Sequence, residues 1–320
     1  MNKMVRQLLP FATLTLIVCI LSALKPDSFL TSENILNVLS RSSVNGIIAM
    51  GMTAVIISGG IDLSVGSMMA FCGMVGGYLM LRLGGTTPPT GPLLIGTIAG
   101  IAAGIMCGLL NGALITKLKL PPFIVTLGTM SAFRGISYVM NNGQMYDVPT
   151  YTYLGQGNFL GMPVCVLIFA VIVAASGFVL RYTRLGRYTY AIGSNREAAF
   201  HAGINVDRNL TAIYTLTGLA VGIASMIATS RTVSAQPTAG ISLELDIIAA
   251  VVIGGASLSG GRGTVTGTIV GTLLISFLRN GCTLLGISTN VQLVVIGGII
   301  IGAVSLDQMA RSRAESRQTK

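Results

Sequence analysis

Apolar residues in this chain come in long runs, with neither the alternation of a half-buried strand nor the single stripe of a surface helix. Stretches with few or no charges occupy residues 8–24, 44–59, 64–81, 92–116, 122–140, 162–180, 209–229, 247–258, 264–280 and 290–306. A helix needs about 20 apolar residues to cross a hydrocarbon core roughly 30 Å thick. The runs therefore predict an all-α, polytopic membrane protein of about ten transmembrane helices, two of the crossings being short. The first run follows Lys3 and Arg6, and Leu21-Ser22-Ala23 resembles a signal-peptide cleavage site. A run over 8–24 is longer than the usual apolar core of a signal peptide, so a retained first helix is expected.

Two of the runs end in glycine-rich breaks that resemble each other. One is Ala54-Val55-Ile56-Ile57-Ser58-Gly59-Gly60-Ile61-Asp62-Leu63-Ser64-Val65-Gly66, the other Ala250-Val251-Val252-Ile253-Gly254-Gly255-Ala256-Ser257-Leu258-Ser259-Gly260-Gly261. The likeness suggests an internal repeat. Broken helices in corresponding places point to a transport path, because unwound backbone at membrane depth must line a cavity or be buried in protein. A pair of tight interhelical turns is the alternative.

Composition agrees with lipid as the solvent: of 320 residues 52% are hydrophobic and 9% charged, against about 25% charged in soluble domains. The expected domain is a single transmembrane unit over 1–320. A net charge of +10 raises the question of nucleic acid, but the Lys and Arg are scattered between apolar runs with no basic face, so no nucleic-acid partner is expected. With the N-terminus inside and the runs alternating, inner segments receive fourteen of the 20 Lys and Arg, including Lys117, Lys119, Arg181, Arg184, Arg187, Arg311, Arg313, Arg317 and Lys320. Outer segments receive Lys25, Arg41, Arg82, Arg231 and Arg279, and Arg134 falls within a span, where snorkelling is expected. That bias places both termini in the cytoplasm. Cys19, Cys72, Cys107, Cys165 and Cys282 have neither disulfide nor zinc spacing and read as packing residues. Forty-one glycines suit close helix contacts, as at Gly100, Gly104 and Gly108.

Catalytic chemistry is thin. No G-x-x-x-x-G-K-[ST] occurs, and Gly260-Gly261-Arg262-Gly263-Thr264 lacks the phosphate-binding lysine, so the chain is not expected to hydrolyse nucleotide itself. The single histidine, His201, reads as a solvated or docking residue, and no cluster of His, Cys and carboxylates offers a metal site. Asp62 is open to two readings: a gate or coupling element near the inner side, or an N-cap for a helix starting at Leu63 or Ser64. Asn45, Thr53, Ser64, Ser67, Asn111, Thr126, Thr129, Ser131 and Asn141 are candidates for a hydrated path, or for ordinary helix-to-helix hydrogen bonds. The longest inner loop, 181–208, holds Ser194 three residues before Glu197, a capping-box spacing, and then Gly203 as a stop. A helix over 195–202 is predicted there, either docking a partner or tidying a long loop.

Several longer segments, in order, carry a family resemblance: 43–53 (Ser43 to Thr53), Gly59-Gly60-Ile61-Asp62-Leu63-Ser64-Val65-Gly66-Ser67, Thr183-Arg184-Leu185-Gly186-Arg187, Ser234-Ala235-Gln236-Pro237-Thr238-Ala239-Gly240 and Glu244-Leu245-Asp246. From about Phe29 to Gly302 the chain resembles the permease subunits of bacterial ABC importers for ribose, xylose, galactosides and related sugars. The family's EAA-x3-G loop pattern is matched by Glu197-Ala198-Ala199 and Gly203, while the Leu-Pro that follows in some branches is absent. The resemblance implies a multi-pass protein of the bacterial inner membrane with no cofactor of its own. Its partners would be an ABC ATPase carrying ATP and Mg, a periplasmic or extracellular sugar-binding protein, and a second permease copy or sister permease. It makes 181–208 the ATPase-coupling loop and Arg41, Arg82, Arg231 and Arg279 a rim for the binding protein, or simply contacts to lipid headgroups. An ion-coupled secondary transporter or a channel subunit is the rival reading, the secondary transporter disfavoured because the spans are almost bare of acids apart from Asp62.

Overall fold

The computed structural model describes residues 3–299, 301, 302 and 305, with side chains from Pro10 onward. Of the inner cations expected above, Arg311, Arg313, Arg317 and Lys320 lie outside the described residues, as does the end of the last apolar run. Helices dominate: α1 (Lys3–Leu24), α2 (Pro26–Phe29), α3 (Ser32–Ile57), α4 (Val65–Gly84), α5 (Thr90–Lys117), α6 (Pro122–Val139), α7 (Tyr153–Gln156), α8 (Val164–Tyr182) and α9 (Arg184–Ser194). They continue with α10 (Arg196–His201), α11 (Val206–Thr232), α12 (Leu243–Ile253) and α13 (Val265–Leu284), then α14 (Thr289–Ile299). Among the described residues, each of the ten predicted runs is mainly helical. Among the described residues six helices, α3, α4, α5, α8, α11 and α13, are long and apolar enough to cross a membrane by themselves. With 11 residues, α12 is about 16 Å long and reaches only about half-way through a hydrocarbon core.

Within a bilayer, helices associate through close packing and hydrogen bonds, because lipid tails are as apolar as leucine. Small residues set which helices meet. On α5, Gly104 lies against Gly218 and Gly222 of α11, where an added Cβ would stand 2.9 Å from the Gly222 Cα, and Gly108 lies against Gly218 at 3.0 Å. Gly100 lies beside Met226 of the same helix, so the predicted glycine stripe does bring two helices into backbone contact. On the other side of α11, Gly51 of α3 approaches Thr217. This makes α3 and α11 central, whereas α8 is mostly open to lipid, with 17% of its apolar window buried against 78% for α3.

One end of the bundle is fastened by a two-strand ladder, β1 (Tyr146–Asp147) against β4 (Ser234–Ala235), which joins the segment after α6 to the segment after α11. A second hairpin pairs β2 (Asn158–Phe159) with β3 (Met162–Pro163). Arg134 on α6 does not snorkel. Its guanidinium is half-buried and donates to the carbonyls of Pro237 (2.6 Å) and Ala239 (2.7 Å), pinning the segment beyond β4. All five cysteines are free thiols, and every one except Cys19 is buried.

Two helix breaks as the candidate functional site

Both breaks are built the same way. At the end of α3, Gly60 N–H donates to the Val55 carbonyl and Gly59 N–H to that of Ile56; at the end of α12, Ala256 donates to Val251 and Gly255 to Val252. This is the paired-bond stop that needs a left-handed residue, supplied by Gly59 (φ 83°) and Gly255 (φ 95°). The two breaks thus share a backbone stop, and the same stop ends α10 at Gly203 and α13 at Gly286.

After the first stop the chain turns through Asp62 into α4. Asp62 Oδ1 accepts from the backbone N–H of Ser64 (2.9 Å) and from its hydroxyl (2.6 Å), so Asp62 closes a local turn at the head of α4. Ser64 occupies the cap position without a capping bond from its own side chain, and the helix begins at Val65, one or two residues later than expected. Asn111 of α5 donates to the Ser64 hydroxyl (2.8 Å), Ser67 donates to the Ser64 carbonyl (2.9 Å), and Thr126 of α6 donates to the carbonyl of Pro122 (2.9 Å) and more weakly to that of Ile61 (3.3 Å). Asp62, Ser64, Ser67, Asn111 and Thr126, all fully buried, thus converge on the first break. Asp62 Oδ2, Asn111 Oδ1 and the Tyr214 hydroxyl have no partner there, and a Cβ at Gly60 would stand 2.6 Å from that hydroxyl. Sequence reasoning missed Tyr214, which looks like one more apolar residue of its run.

The other candidates lie apart. Thr53 shares a hydrogen bond with Thr268 of α13 (2.7 Å) and donates within its own helix, as Thr129 and Ser131 do. Asn141 caps the turn after α6 by donating to the carbonyls of Gln144 and Met145. Asn45 lines a polar cavity of about 260 Å³ with Arg41, Ser276, Arg279 and Gln292. A hydroxyl-rich cavity of about 220 Å³, lined by Ser225, Thr229, Thr232, Ser234 and Gln236, sits under the segment that Arg134 pins. Met69 and Gly73 of α4 complete its wall, and its residues come from α4, α11 and the loop after α11, so no local motif announces them.

The first break is held on two sides. Towards the loop helices, Gly261 N–H of the second break donates to the Ile57 carbonyl (2.8 Å). A Cβ at Gly193 of α9 would collide with that same carbonyl oxygen and stand 2.6 Å from Gly261 N. Nearby the Tyr190 hydroxyl donates to the Gly263 carbonyl (2.8 Å), and a Cβ at Gly261 would lie 2.7 Å from the Ser194 hydroxyl. On the other side, Gly66 at the head of α4 touches the backbone of Gly240 just before α12, and a Cβ there would lie 2.6 Å from a Glu244 carboxylate oxygen.

The short loop helix is where the sequence put it, but its cap is Asn195, not Ser194: Asn195 Oδ1 accepts from Ala198 N–H (2.9 Å), and Ser194 ends α9. Glu197 stands in the first turn, and Gly203 (φ 80°) makes the stop, with Ile204 N–H donating to the Ala199 carbonyl (3.1 Å). Ala199 is 4% exposed and anchors the helix to its own chain, so it is not available for close approach by a partner. The outward face carries Glu197, Ala198, Phe200 (67% exposed) and His201, the histidine edge-on to Phe200. Beside it a cleft of about 780 Å³ is lined by Lys119, Arg196, Glu197, Phe200 and Asp207.

Of the four arginines of the expected rim, Arg41 and Arg82 are exposed and Arg231 is half-buried in a cleft with Glu33 and Gln156. Arg279 is committed inside the chain, pairing with Asp246 at 2.7 Å.

No solved structure matches the chain. Among curated proteins it is 46% identical to the ribose import permease protein RbsC of Bacillus subtilis, covering 96% of this chain and 94% of that one. The corresponding protein of Escherichia coli K12 is 40% identical (92% and 91%), and the D-allose transport system permease protein AlsC of the same strain is 37% identical (93% and 90%). A family described as the permease component of branched-chain amino acid transport systems matches residues 34–304. Nearly full-length likeness of that kind, on a helical membrane fold with paired helix breaks, shows that the chain belongs to this family of ABC importer permeases.

Proposed function

We propose that the chain is the membrane-spanning subunit of an ATP-driven importer of ribose-like sugars. The observation that carries the proposal is the 46% identity to a ribose import permease over 96% of the chain. ATP and Mg would be bound and hydrolysed by a separate ATPase seated on the 181–208 loop, with sugar delivered to the opposite face by a binding protein and the pore completed by a second permease. Both termini would be cytoplasmic. Two contacts support that arrangement: both breaks meet α9 at one end, and the 146–147 and 234–235 segments pair with each other elsewhere.

In mechanism, the ATPases would push on the outward face of α10, and α9 would carry the movement through Gly193 and Tyr190 to both breaks at once. The first break is also tied through Gly66 to the Gly240 turn and Glu244, so a shift there would reach the segment that leads into α12, as a rigid-body switch requires. The buried cluster around Asp62 would then hold the first break in register, and the hydroxyl-rich cavity under residues 234–240 would offer hydrogen bonds to a polyol. Reconstitution with an ATPase and a ribose-binding protein tests the reading: ATP-dependent ribose accumulation is expected, and uptake that is indifferent to ATP would return the chain to the channel class.

A further inference from the structure

The Arg181–Arg187 stretch, with its Thr183-Arg184-Leu185-Gly186-Arg187 motif, opens the 181–208 loop on which the ATPase is proposed to sit, and the transport reading gives its three cations no role of their own. Arg181, Arg184 and Arg187 are exposed at the junction of α8 and α9, and among the described residues none has a carboxylate within ion-pair distance. Arg181 lies over the Tyr182 ring at 5.4 Å, and Arg187 reaches only the Tyr182 carbonyl at 3.4 Å. Tyr182 and Tyr188 are exposed on the same stretch, as aromatic residues at a membrane interface are.

Directly behind these cations an apolar groove of about 140 Å³ runs between α3, α8, α9 and α11. Ala54, Ile172, Ala175, Val179, Leu216 and Ala220 line it, and Leu180 and Leu185 at its end are the chain neighbours of Arg181 and Arg184. Of the three hydroxyl side chains on its wall, Ser176, Thr189 and Thr217, the two threonines are occupied within their own helices, Thr189 donating to Leu185 (2.7 Å) and Thr217 to Ile213 (2.9 Å). The groove therefore presents mainly hydrocarbon, and Arg181 and Arg184, next in the chain to its lining residues Leu180 and Leu185, bring positive charge beside it, with Arg187 on the same stretch. Charge of that sign beside an apolar groove along the exposed helix α8 selects an amphiphile with an anionic head.

We propose that the groove between α8 and α11 is a binding site for one anionic phospholipid, its acyl chain along Ala175 and Leu216 and its phosphate held by Arg181, Arg184 and Arg187. Such a lipid would wedge α9 against α3 and so sit beside the Gly193 contact.

The full-length permease is purified in detergent and titrated with phosphatidylglycerol or phosphatidylcholine of identical chains, bound lipid being read by native mass spectrometry. Wild type should take one phosphatidylglycerol per chain with at least about a tenfold preference, weakened by salt. Arg181→Gln/Arg184→Gln/Arg187→Gln should abolish the preference, and Ala175→Phe, which fills the groove, should abolish the bound lipid. Each variant is compared at equal monodispersity. A photoreactive acyl chain on phosphatidylglycerol should label α8 or α11 near Ala175 and Leu216 in wild type, a readout that does not depend on any variant folding. Equal uptake of both lipids, labelling elsewhere, or a triple variant that keeps its lipid but loses the ATPase would overturn the assignment, the last by giving the arginines to the ATPase.

Discussion

Asp62 is a carboxylate enclosed by the protein at a helix break, and its two oxygens live differently. Oδ1 accepts two bonds from Ser64, while Oδ2 has no donor. Asparagine in its place would keep the Ser64 bonds through its carbonyl and bring donors to a cluster where Asn111 Oδ1 also lacks one. Asp62→Asn should therefore change stability by less than about 1 kcal/mol, whereas Asp62→Leu should cost about 1–3 kcal/mol by stranding the Ser64 donors. Thermal unfolding of the purified permease separates the two; equal losses would show that the Ser64 bonds are not what matters. Arg134 makes a parallel case. Arg134→Met leaves the Pro237 and Ala239 carbonyls without their donor, for an expected loss of about 1–3 kcal/mol. Both bonds leave one nitrogen, Nη1, so a lysine ammonium can donate to both carbonyls, and Lys should recover only part of the loss because its stem is one bond shorter.

At the scale of elements, α9 and α10 should separate assembly from coupling. Asn195→Ala removes the cap of α10 and should cost about 1 kcal/mol, while Ser194→Ala should leave that helix intact. Gly203→Val forces a β-branched residue to φ 80° and should distort the stop. Phe200→Asp, on the exposed face, should weaken ATPase co-purification without altering membrane insertion. Gly193→Val should behave differently. Its side chain meets the Ile57 carbonyl, so the ATPase should still bind while sugar-stimulated hydrolysis falls at least about tenfold. Full stimulation in the Gly193 variant would remove α9 from the coupling route.

For the whole molecule, topology is the expectation to measure. With native cysteines replaced, a cysteine at Leu160 (89% exposed) should react with an impermeant reagent in intact cells, and one at Phe200 should react only after the cells are opened. Phe200 suits the test because its side chain is exposed. The reverse pattern would invert the proposed orientation and place the breaks at the outer face.

Residue chemistry read in order along the chain determined the membrane class, the helical runs, both glycine breaks and the stop at Gly203, because each follows from local rules. Long apolar runs must be helical where no water can satisfy the backbone, and a left-handed stop calls for glycine. The glycine stripe on α5 was legible for the same reason, since its period marks one helix face. Tertiary structure alone decided what those features touch. Whether Asn111 reaches Ser64 at the first break, whether Arg134 reaches lipid or the Pro237 carbonyl, and whether Ala199 faces a partner or its own chain depend on contacts between segments far apart in sequence. The meeting of Gly193 with Ile57 and Gly261 is of that kind as well. A glycine near a helix end announces freedom of the backbone, and only the packed bundle shows that here it is the room left for another helix to approach.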